Sequence, residues 1–423
     1  MRSIWIKISE AAGAKVYNLL LSVATLALTA RLLGPEGRGQ VGAVLAWVAL
    51  FSTLGHMSLG SVAIRQLALK SSSERVSELL GSLLLYTGLL TLLGWIVAAV
   101  LATWPGQPVF GTLPIWLLAL GFLYLPFALW EVYGQSLLMG LDRASQFNRA
   151  TMLGRTANLV AVYVMVGWLA WGPAGAVAAA LVAGMVTAAG GARTLAAMAG
   201  RRLAPRLSCI SVLAGGALRL HLNAIGTYLF TQSGVLIVNH FHGAAATGNY
   251  QLAAQLIGVM LIIPSAVSQI MYGVVTQRGP DAAWPLNRHV LHRAMGISVV
   301  SLALAWLLAP YIIPLIAGAG FDEAIVDFRT MLPILLGGTL SAAMAPQWIG
   351  RGLFWQASLL TLFVGVCGFS ASLLWTPRMG AEGAIYATLI GYGVGATFNI
   401  LLYIHCSRRQ AIERNRHENT SGQ

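Results

Sequence analysis

The amino-acid sequence predicts an all-α polytopic membrane protein with about twelve transmembrane helices, arranged as two pseudo-symmetric lobes of six helices each. Of the 423 residues, 57% are hydrophobic and only 9% are charged, whereas a soluble domain carries about 25% charged residues. The apolar residues form about twelve runs of the length that crosses a bilayer. Short glycine motifs recur at an offset of about 209 residues. Lipid is therefore expected to solvate most of the chain.

The spans follow from the apolar runs, because a transmembrane helix needs about 20 mostly apolar residues. The second and eighth runs are the weakest, since Gly, Ser and Gln interrupt them. The run after Lys15 is too long for a signal-peptide core and lacks a small-residue cleavage site, so we interpret it as an uncleaved first span. The predicted spans are residues 13–33, 40–62, 79–103, 113–135, 151–171, 174–197, 219–240, 248–272, 294–316, 328–349, 353–375 and 381–404.

The positive charges predict the orientation. With the N-terminus in the cytoplasm, 22 of the 26 Lys and Arg residues fall in cytoplasmic segments, as the positive-inside rule requires. The remaining four fall on the outer side and are Arg31, Arg38, Arg329 and Arg378. Both termini are therefore predicted to be cytoplasmic.

Glycine motifs between the spans indicate an internal repeat. The link Gly34-Pro-Glu-Gly-Arg-Gly39 is similar to Gly243-Ala-Ala-Ala-Thr-Gly248, and Gly172-Pro-Ala-Gly175 is similar to Gly380-Ala-Glu-Gly383. Both pairs have nearly the same offset, and an even number of helices per repeat makes the halves parallel. The predicted domains are an N-terminal lobe at 1–199, a basic cytoplasmic linker at 200–218, a C-terminal lobe at 219–405 and a polar cytoplasmic tail at 406–423.

Composition and motifs exclude several classes of function. The net charge of +13 does not indicate a nucleic-acid partner, because the basic residues lie in short clusters between apolar runs rather than on one folded face. Three scattered cysteines form neither a disulfide framework nor a metal site. The sequence has no P-loop, GxSxG, HExxH or CxxC motif. We therefore expect no metal, no cofactor and no covalent chemistry.

Several motifs carry a family resemblance that covers nearly the whole chain, from about Lys15 to Cys406. They are Ala30-Arg-Leu-Leu-Gly-Pro-Glu-Gly37, Leu59-Gly-Ser-Val-Ala-Ile-Arg65, Leu138-Met-Gly-Leu-Asp-Arg143 with Phe147, and Gly248-Asn-Tyr-Gln-Leu-Ala253 followed by Pro264. Together they resemble the polysaccharide transporter family of the MOP exporter superfamily, the Wzx-type O-antigen and exopolysaccharide flippases. Gly273 departs from the pattern, since it stands where a second proline is expected. The lipid II flippase branch fits less well, because it has charges midway along its first helix and about fourteen spans.

This resemblance implies a MOP/MATE-like fold whose central cavity opens alternately to each side of the bacterial inner membrane. It implies a flippase that moves undecaprenyl-diphosphate-linked oligosaccharide units from the cytoplasmic to the periplasmic leaflet for surface polysaccharide synthesis. The expected partners are that substrate, membrane lipids and polysaccharide polymerase or ligase machinery, with the protein itself a monomer. The energy source stays open among an ion gradient, the membrane potential and consumption of the product outside.

The substrate headgroup sets the chemistry of the path, because an unpaired charge at the bilayer centre costs about 2.5–3.5 kcal/mol on insertion scales. A diphosphate therefore needs cations, and arginine suits it because the planar guanidinium donates two hydrogen bonds to neighbouring oxygens. The candidate substrate-binding residues are Arg31, Arg65, Glu131, Arg155, Arg219, His221, Asn223 and Gln255.

Each candidate arginine also has a structural interpretation. Arg65 could face a cavity open to the cytoplasm or extend to the inner interface. Arg31 could help release the diphosphate outside or complement a helix C-terminus. Arg155, with Arg219 and His221, could ring a cytoplasmic mouth or contribute only to the positive-inside bias.

The other polar candidates are open to similar alternatives. Glu131, in the last turn of the fourth span, could pair with an arginine, carry a coupling proton or lie at the interface. His56 and His240 could titrate, although a lone histidine in a helix bundle more often makes packing hydrogen bonds. The uncharged amides are candidate sugar contacts, or make interhelical hydrogen bonds worth about 0.6 kcal/mol each. They are Asn18, Asn158, Asn223, Gln232, Gln255 and Gln269.

Two other classes of protein compete with the flippase. A multidrug/cation antiporter of the same superfamily would need acidic residues deep in its cavity, and this chain has few. A membrane-embedded glycan polymerase or ligase would need a sizeable outer loop with catalytic groups, whereas the predicted outer links hold about four to twelve residues. The cationic bias and the short links both favour the flippase.

Overall fold

The computed structural model describes residues 2–69, 72–104, 109–199, 203 and 205–421, and their side chains except those of 2–12, 14, 15, 68, 69, 207–216, 219 and 411–421. These residues fold into helices joined by short links, with one π-helical turn at Tyr163–Trp168. The α-helices are α1 Arg2–His56, α2 Leu59–Leu69, α3 Ser73–Ala102, α4 Ile115–Phe122, α5 Leu125–Gly140, α6 Ala144–Val162, α7 Gly172–Ala199, α8 Leu207–Thr231, α9 Ser233–Met260, α10 Ile262–Arg278, α11 Pro280–Ala317, α12 Asp322–Met331, α13 Ile334–Gly350, α14 Phe354–Met379 and α15 Ala381–Ser421.

The helices fit a multi-pass membrane protein. Among the described residues, nine helical segments are long and apolar enough to cross a membrane, or ten if the bent pair α12–α13 is one span. Two of the nine, Val16–His56 with 41 residues and Leu220–Arg278 with 59, are about 60 and 90 Å long at 1.5 Å per residue. Neither fits a single crossing of about 30 Å, so the chain must reverse within each.

The reversals occur at the two glycines of the predicted repeat. Gly34 has φ 63° and ψ −176°, and Gly243 has φ 76° and ψ −171°. This left-handed region costs a residue with a Cβ atom conformational energy, and glycine pays no such penalty. Dividing both segments at these glycines raises the number of crossings from ten to twelve. The predicted fold class is confirmed.

Two helix boundaries differ from the sequence prediction. Helix α8 begins at Leu207, inside the segment predicted as a linker at 200–218, and α15 continues to Ser421, through the predicted tail at 406–423. Hydropathy identifies only the part of a helix that lies in hydrocarbon, whereas a helix can extend into water or the headgroup region. The lobe boundaries themselves stay a prediction.

The links of the repeat cross each other where the two halves of the chain meet. A Cβ atom added to Gly39 would lie 1.7 Å from the carbonyl oxygen of Ala244, and one added to Gly248 would lie 1.9 Å from that of Pro35. Both contacts are backbone to backbone, and the offset of the repeat relates one to the other. We call this arrangement, formed by Pro35, Gly39, Ala244 and Gly248, the glycine crossing.

The segment before α8 is held against the N-terminal half. The Ser82 hydroxyl donates to the carbonyl of Arg206 at 3.1 Å and accepts from its amide at 2.9 Å. The Arg206 guanidinium lies 2.7 Å from the buried carboxylate of Glu78. Helix α8 therefore starts from a fixed point on α3.

Candidate functional site

A cavity of about 900 Å³ lies between the two halves of the chain, near the upper end of the usual range of about 300–1,000 Å³ for ligand sites. Helices α1, α6 and α7 form one wall, and α8, α9, α10, α12, α13 and α15 form the other. The polar residues that line it are Asn18, Ser22, Thr25, Thr29, Arg38, Arg155, Asn158, Thr231, Gln232, Tyr250, Gln251, Gln255, Ser265, Gln269, Thr388 and Tyr392.

The charged residues in the described lining are all positive. Arg38 and Arg155 are its charged members, and no Asp or Glu from the described part of the chain joins them. A diphosphate or another anion would find cations in the cavity without a competing carboxylate, whereas a cationic ligand would be repelled.

One end of the cavity is closed and the other is accessible. On the part of α1 before Gly34 the lining runs from Asn18 to Leu33, about 22 Å along the helix axis towards the glycine crossing. At the opposite end the side chains of Arg155 and Gln269 are exposed. The structure is therefore a state that is open at the end where Arg155 and Gln269 lie.

Two helix breaks lie in the cavity wall. Gln232 separates α8 from α9 with φ −122° and ψ −23°, and Leu261 separates α9 from α10; both line the cavity. The main-chain N–H groups of Gln232 and Leu261 still donate to the carbonyls of Tyr228 at 2.9 Å and Ile257 at 3.0 Å. The breaks therefore redirect the helices in the wall while these two N–H groups stay paired.

Arg38 lies at the closed end of the cavity, and the sequence analysis did not include it among the candidate substrate-binding residues. Its side chain is only 5% exposed. Nη1 donates to Thr29 Oγ1 at 2.9 Å and to the Leu26 carbonyl at 3.3 Å, and Nη2 donates to Gln255 Oε1 at 2.5 Å. Nε has no hydrogen-bond partner among the described residues. The turn at Gly34 brings Arg38 back into the protein, so it does not remain in an outer loop.

Arg155 is the predicted arginine that lines the cavity. Its Nη1 donates to Ser22 Oγ at 2.6 Å, which joins α6 to α1. Glu131 lies behind this wall, where it is hydrogen-bonded to the Tyr124 hydroxyl and interacts electrostatically with Arg155. Glu131 interacts with an arginine, as one of its alternatives predicts, but it is not part of the lining, and its contact with substrate stays a prediction.

Three further candidates lie away from the described lining. Arg65 is exposed near the end of α2. His221 is buried on α8 with its ring 5.7 Å from that of His56, so it belongs to helix packing between α8 and the end of α1. Asn223 is exposed outside the cavity. The side chain of Arg219 lies outside the described part of the chain. Gln255, in contrast, lines the cavity as predicted and contacts Arg38.

Arg31 is also outside the lining, and its hydrogen bonds join the two halves of the chain at the closed end of the cavity. Its Nε donates to the Ile316 carbonyl at 3.2 Å and its Nη2 donates to the Leu315 carbonyl. These carbonyls lie in the last turn of α11, which ends at Ala317, so Arg31 complements a helix C-terminus on the opposite half of the chain.

We expect Arg31→Ala to weaken this closed end modestly. An exposed cation at a helix C-terminus contributes about 0.3–1 kcal/mol, so the closed population should fall about two- to fivefold. The measurement is alkylation of Leu33→Cys, a cavity residue, by a membrane-impermeant maleimide added from the side of the glycine crossing. Arg378→Ala, a change at another exposed arginine in a last turn, is the control. Equal alkylation in both variants would contradict the role of Arg31.

The fold is similar to that of solved transporters. With lipid II flippase MurJ in an inward closed conformation the TM-score is 0.76 at 11% identity, over 95% of this chain and 90% of that one. With an inward-facing multidrug resistance MATE family transporter of the MOP superfamily it is 0.68 at 16% identity, over 92% and 96%. With an outward-facing MATE family transporter it is 0.63 at 17% identity, over 93% and 93%. These similarities concern the fold.

The described helices form a multi-pass membrane protein around a polar cavity, with a fold similar to that of MOP-superfamily transporters. The particular family follows from the sequence, because residues 5–274 match the family described as polysaccharide biosynthesis protein. The chain belongs to that family, which confirms the resemblance carried by the motifs. No curated protein sequence matches the chain.

Proposed function

We propose that this protein is a flippase for undecaprenyl-diphosphate-linked oligosaccharide units. It moves them from the cytoplasmic to the periplasmic leaflet of a bacterial inner membrane, by alternating access, for synthesis of a surface polysaccharide such as O-antigen, capsule or exopolysaccharide. The observation that carries the proposal is the lining of the cavity, which has two arginines and no carboxylate among its described members. Membership of a polysaccharide biosynthesis family supports the same cargo.

The lining matches the headgroup of such a lipid in chemistry and in size. Guanidinium groups donate paired hydrogen bonds to phosphate oxygens, and the amides of Asn18, Asn158, Gln251 and Gln269 both donate to and accept from sugar hydroxyls. A volume of about 900 Å³ accommodates a headgroup with a few sugars, so the polyprenyl tail stays in lipid between or outside the helices.

The distribution of the charges along the chain supports a cytoplasmic position for the open end of the cavity. The N-terminal residues, the segment before α8 and the end of α15 are basic, and basic segments stay on the cytoplasmic side. The glycine crossing then faces the periplasm, with both termini in the cytoplasm. The described state is therefore ready to receive cargo from the leaflet in which lipid-linked units are assembled.

The rival functions require groups that the cavity and the links do not supply. A cation antiporter requires a carboxylate in the cavity, and Glu131 lies behind the wall. A glycan polymerase or ligase requires an extended catalytic loop, and the described links between helices are short. The flippase acts alone as a monomer in this proposal and delivers its product to a polymerase or ligase.

The experiment uses the purified full chain in liposomes with a fluorescent undecaprenyl-diphosphate-linked sugar. Dithionite added outside quenches only outer-leaflet fluorophores, so flipping appears as additional quenching that protein-free vesicles lack. Unlabelled undecaprenyl diphosphate should compete for flipping, whereas the cationic dye ethidium should neither compete nor accumulate. Accumulation of ethidium without any flipping of the lipid would assign the protein to the antiporters instead.

A further inference from the structure

The hydrogen bond between Arg38 and Gln255 joins the two halves of the chain at the closed end of the cavity. The bond from Arg38 Nη2 to Gln255 Oε1 is 2.5 Å long. Two other described bonds that join the halves, from Arg31 and from the Tyr228 hydroxyl, end on main-chain carbonyls. In the Arg38–Gln255 pair both partners are side chains that line the cavity, so a ligand in the cavity can replace one of them.

The geometry of the guanidinium group decides how a ligand would do so. Nε–H and one N–H of Nη2 point in the same direction, and this edge is the fork that binds two oxygens of a phosphate. In Arg38 the other nitrogen, Nη1, is engaged by Thr29 and Leu26. Gln255 takes the Nη2 half of the fork, and the Nε half is buried without a partner among the described residues. A phosphate that used the whole fork would have to displace the Gln255 amide.

We propose that Arg38 and Gln255 form a latch on the periplasmic gate, and that the diphosphate of the cargo opens it by replacing the Gln255 amide on the Arg38 fork. This inference rests on the proposed function and adds the step that couples cargo binding to the change of access. In the closed state the phosphate must break the latch, whereas in the outward-open state the latch is already broken. The cargo therefore binds the outward-open state more tightly and shifts the equilibrium towards it.

Two substitutions of Gln255 test the latch, because they should shift the gate in opposite directions. Gln255→Glu replaces a neutral acceptor with a carboxylate, which forms an ion pair with Arg38 that the phosphate cannot easily displace. We expect the gate to stay closed with cargo present and flipping to fall about tenfold or more. Gln255→Ala removes the latch, so the gate should open without cargo.

The readout is the distance across the gate, measured by double electron–electron resonance in nanodiscs. Spin labels are placed at Glu36→Cys and Ala245→Cys, both exposed and equivalent in the repeat, after Cys209, Cys367 and Cys406 are replaced by alanine. Undecaprenyl diphosphate is the probe. It should lengthen the distance in the parent chain, leave Gln255→Glu short, and change little in Gln255→Ala, which should be long already.

Gln251→Glu is the matched control, because Gln251 lies one turn earlier on α9, lines the same cavity and packs against Gly42. The added charge should reduce flipping there too, but the distance should still lengthen with undecaprenyl diphosphate. A short distance in Gln255→Ala without cargo, or normal lengthening in Gln255→Glu, would overturn the latch. Binding of undecaprenyl diphosphate is followed separately by native mass spectrometry. If the parent chain does not bind it, the proposed function fails, while the cargo-free distances still decide whether the latch exists.

Discussion

Replacing Arg38 with glutamine is expected to reduce flipping of a diphosphate-linked lipid by about 10- to 150-fold. Glutamine keeps the polar character but removes the charge and the fork. A hydrogen bond to a charged group contributes about 1.5–3 kcal/mol, and each 1.4 kcal/mol corresponds to a factor of ten. The full value applies because Arg38 is 5% exposed, so water cannot substitute for it. Initial rates in the dithionite assay measure the loss.

Arg155→Gln should have a much smaller effect. Its side chain is exposed at the open end of the cavity, and exposed charge pairs contribute about 0.2–1 kcal/mol, equivalent to at most about a fivefold loss. We therefore expect distinct roles for the two arginines: Arg155 should attract the headgroup, and Arg38 should bind it at the end of the cavity. Arg38→Lys separates the effect of charge from that of geometry, because lysine keeps the charge but has no fork. Its flipping rate should lie between those of the parent chain and Arg38→Gln.

Arg329→Gln is the control for these changes. Its guanidinium donates to the Trp306 carbonyl and lies 4.4 Å from the centre of the Trp306 ring, away from the cavity. Arg329→Gln removes a guanidinium charge, as Arg38→Gln does, but this charge does not face the cavity. The rate of flipping should therefore be unchanged. Full activity of Arg38→Gln, in protein that elutes and melts like the parent chain, would contradict the assignment of Arg38 to the substrate path.

Much of the fold could be predicted because its causes are encoded locally. Burial of backbone polar groups in hydrocarbon forces each apolar run into a helix, so run length alone identified the crossings. The turns at Gly34 and Gly243 were visible as a repeat, since a tight reversal with positive φ selects glycine. The ends of α8 and α15 were missed, because a helix outside the bilayer has no hydropathy signal.

The site was harder to predict, because it depends on which face of a helix meets the other half of the chain. Arg31 and Arg38 are seven residues apart on either side of one turn and have the same local character. The turn at Gly34 directs Arg31 towards the end of α11 and Arg38 into the cavity. Gln255 and Arg155 were identified by residue type, but the partner of Gln255 is about 217 positions away in the sequence. A signal for Arg38 was its place about one turn before the apolar run that begins at Val41.

The second large effect is expected at the glycine crossing. Gly39→Ala and Gly248→Ala each place a methyl group less than 2 Å from a main-chain carbonyl oxygen of the other half, and a backbone carbonyl cannot turn aside as a flexible side chain can. Overpacking of this kind costs about 1–3 kcal/mol. Because the clash exists only when the halves are together, the closed state should lose about 5- to 150-fold in population, and flipping should fall with it. The distance between labels at positions 36 and 245 measures the shift.

Gly88→Ala is the matched control, since Gly88 lies within α3 and an added Cβ atom there meets nothing within 4 Å; it should change neither the distance nor the rate. The pseudo-symmetry of the crossing also predicts how the two substitutions combine in one variant. Parting the two links to relieve the clash at Gly39 also makes room at Gly248, so the double variant should cost clearly less than the sum of the two single variants. Fully additive costs would mean that the two contacts act independently. The two links would then not move as one gate, and cargo bound at Arg38 could not open both contacts together.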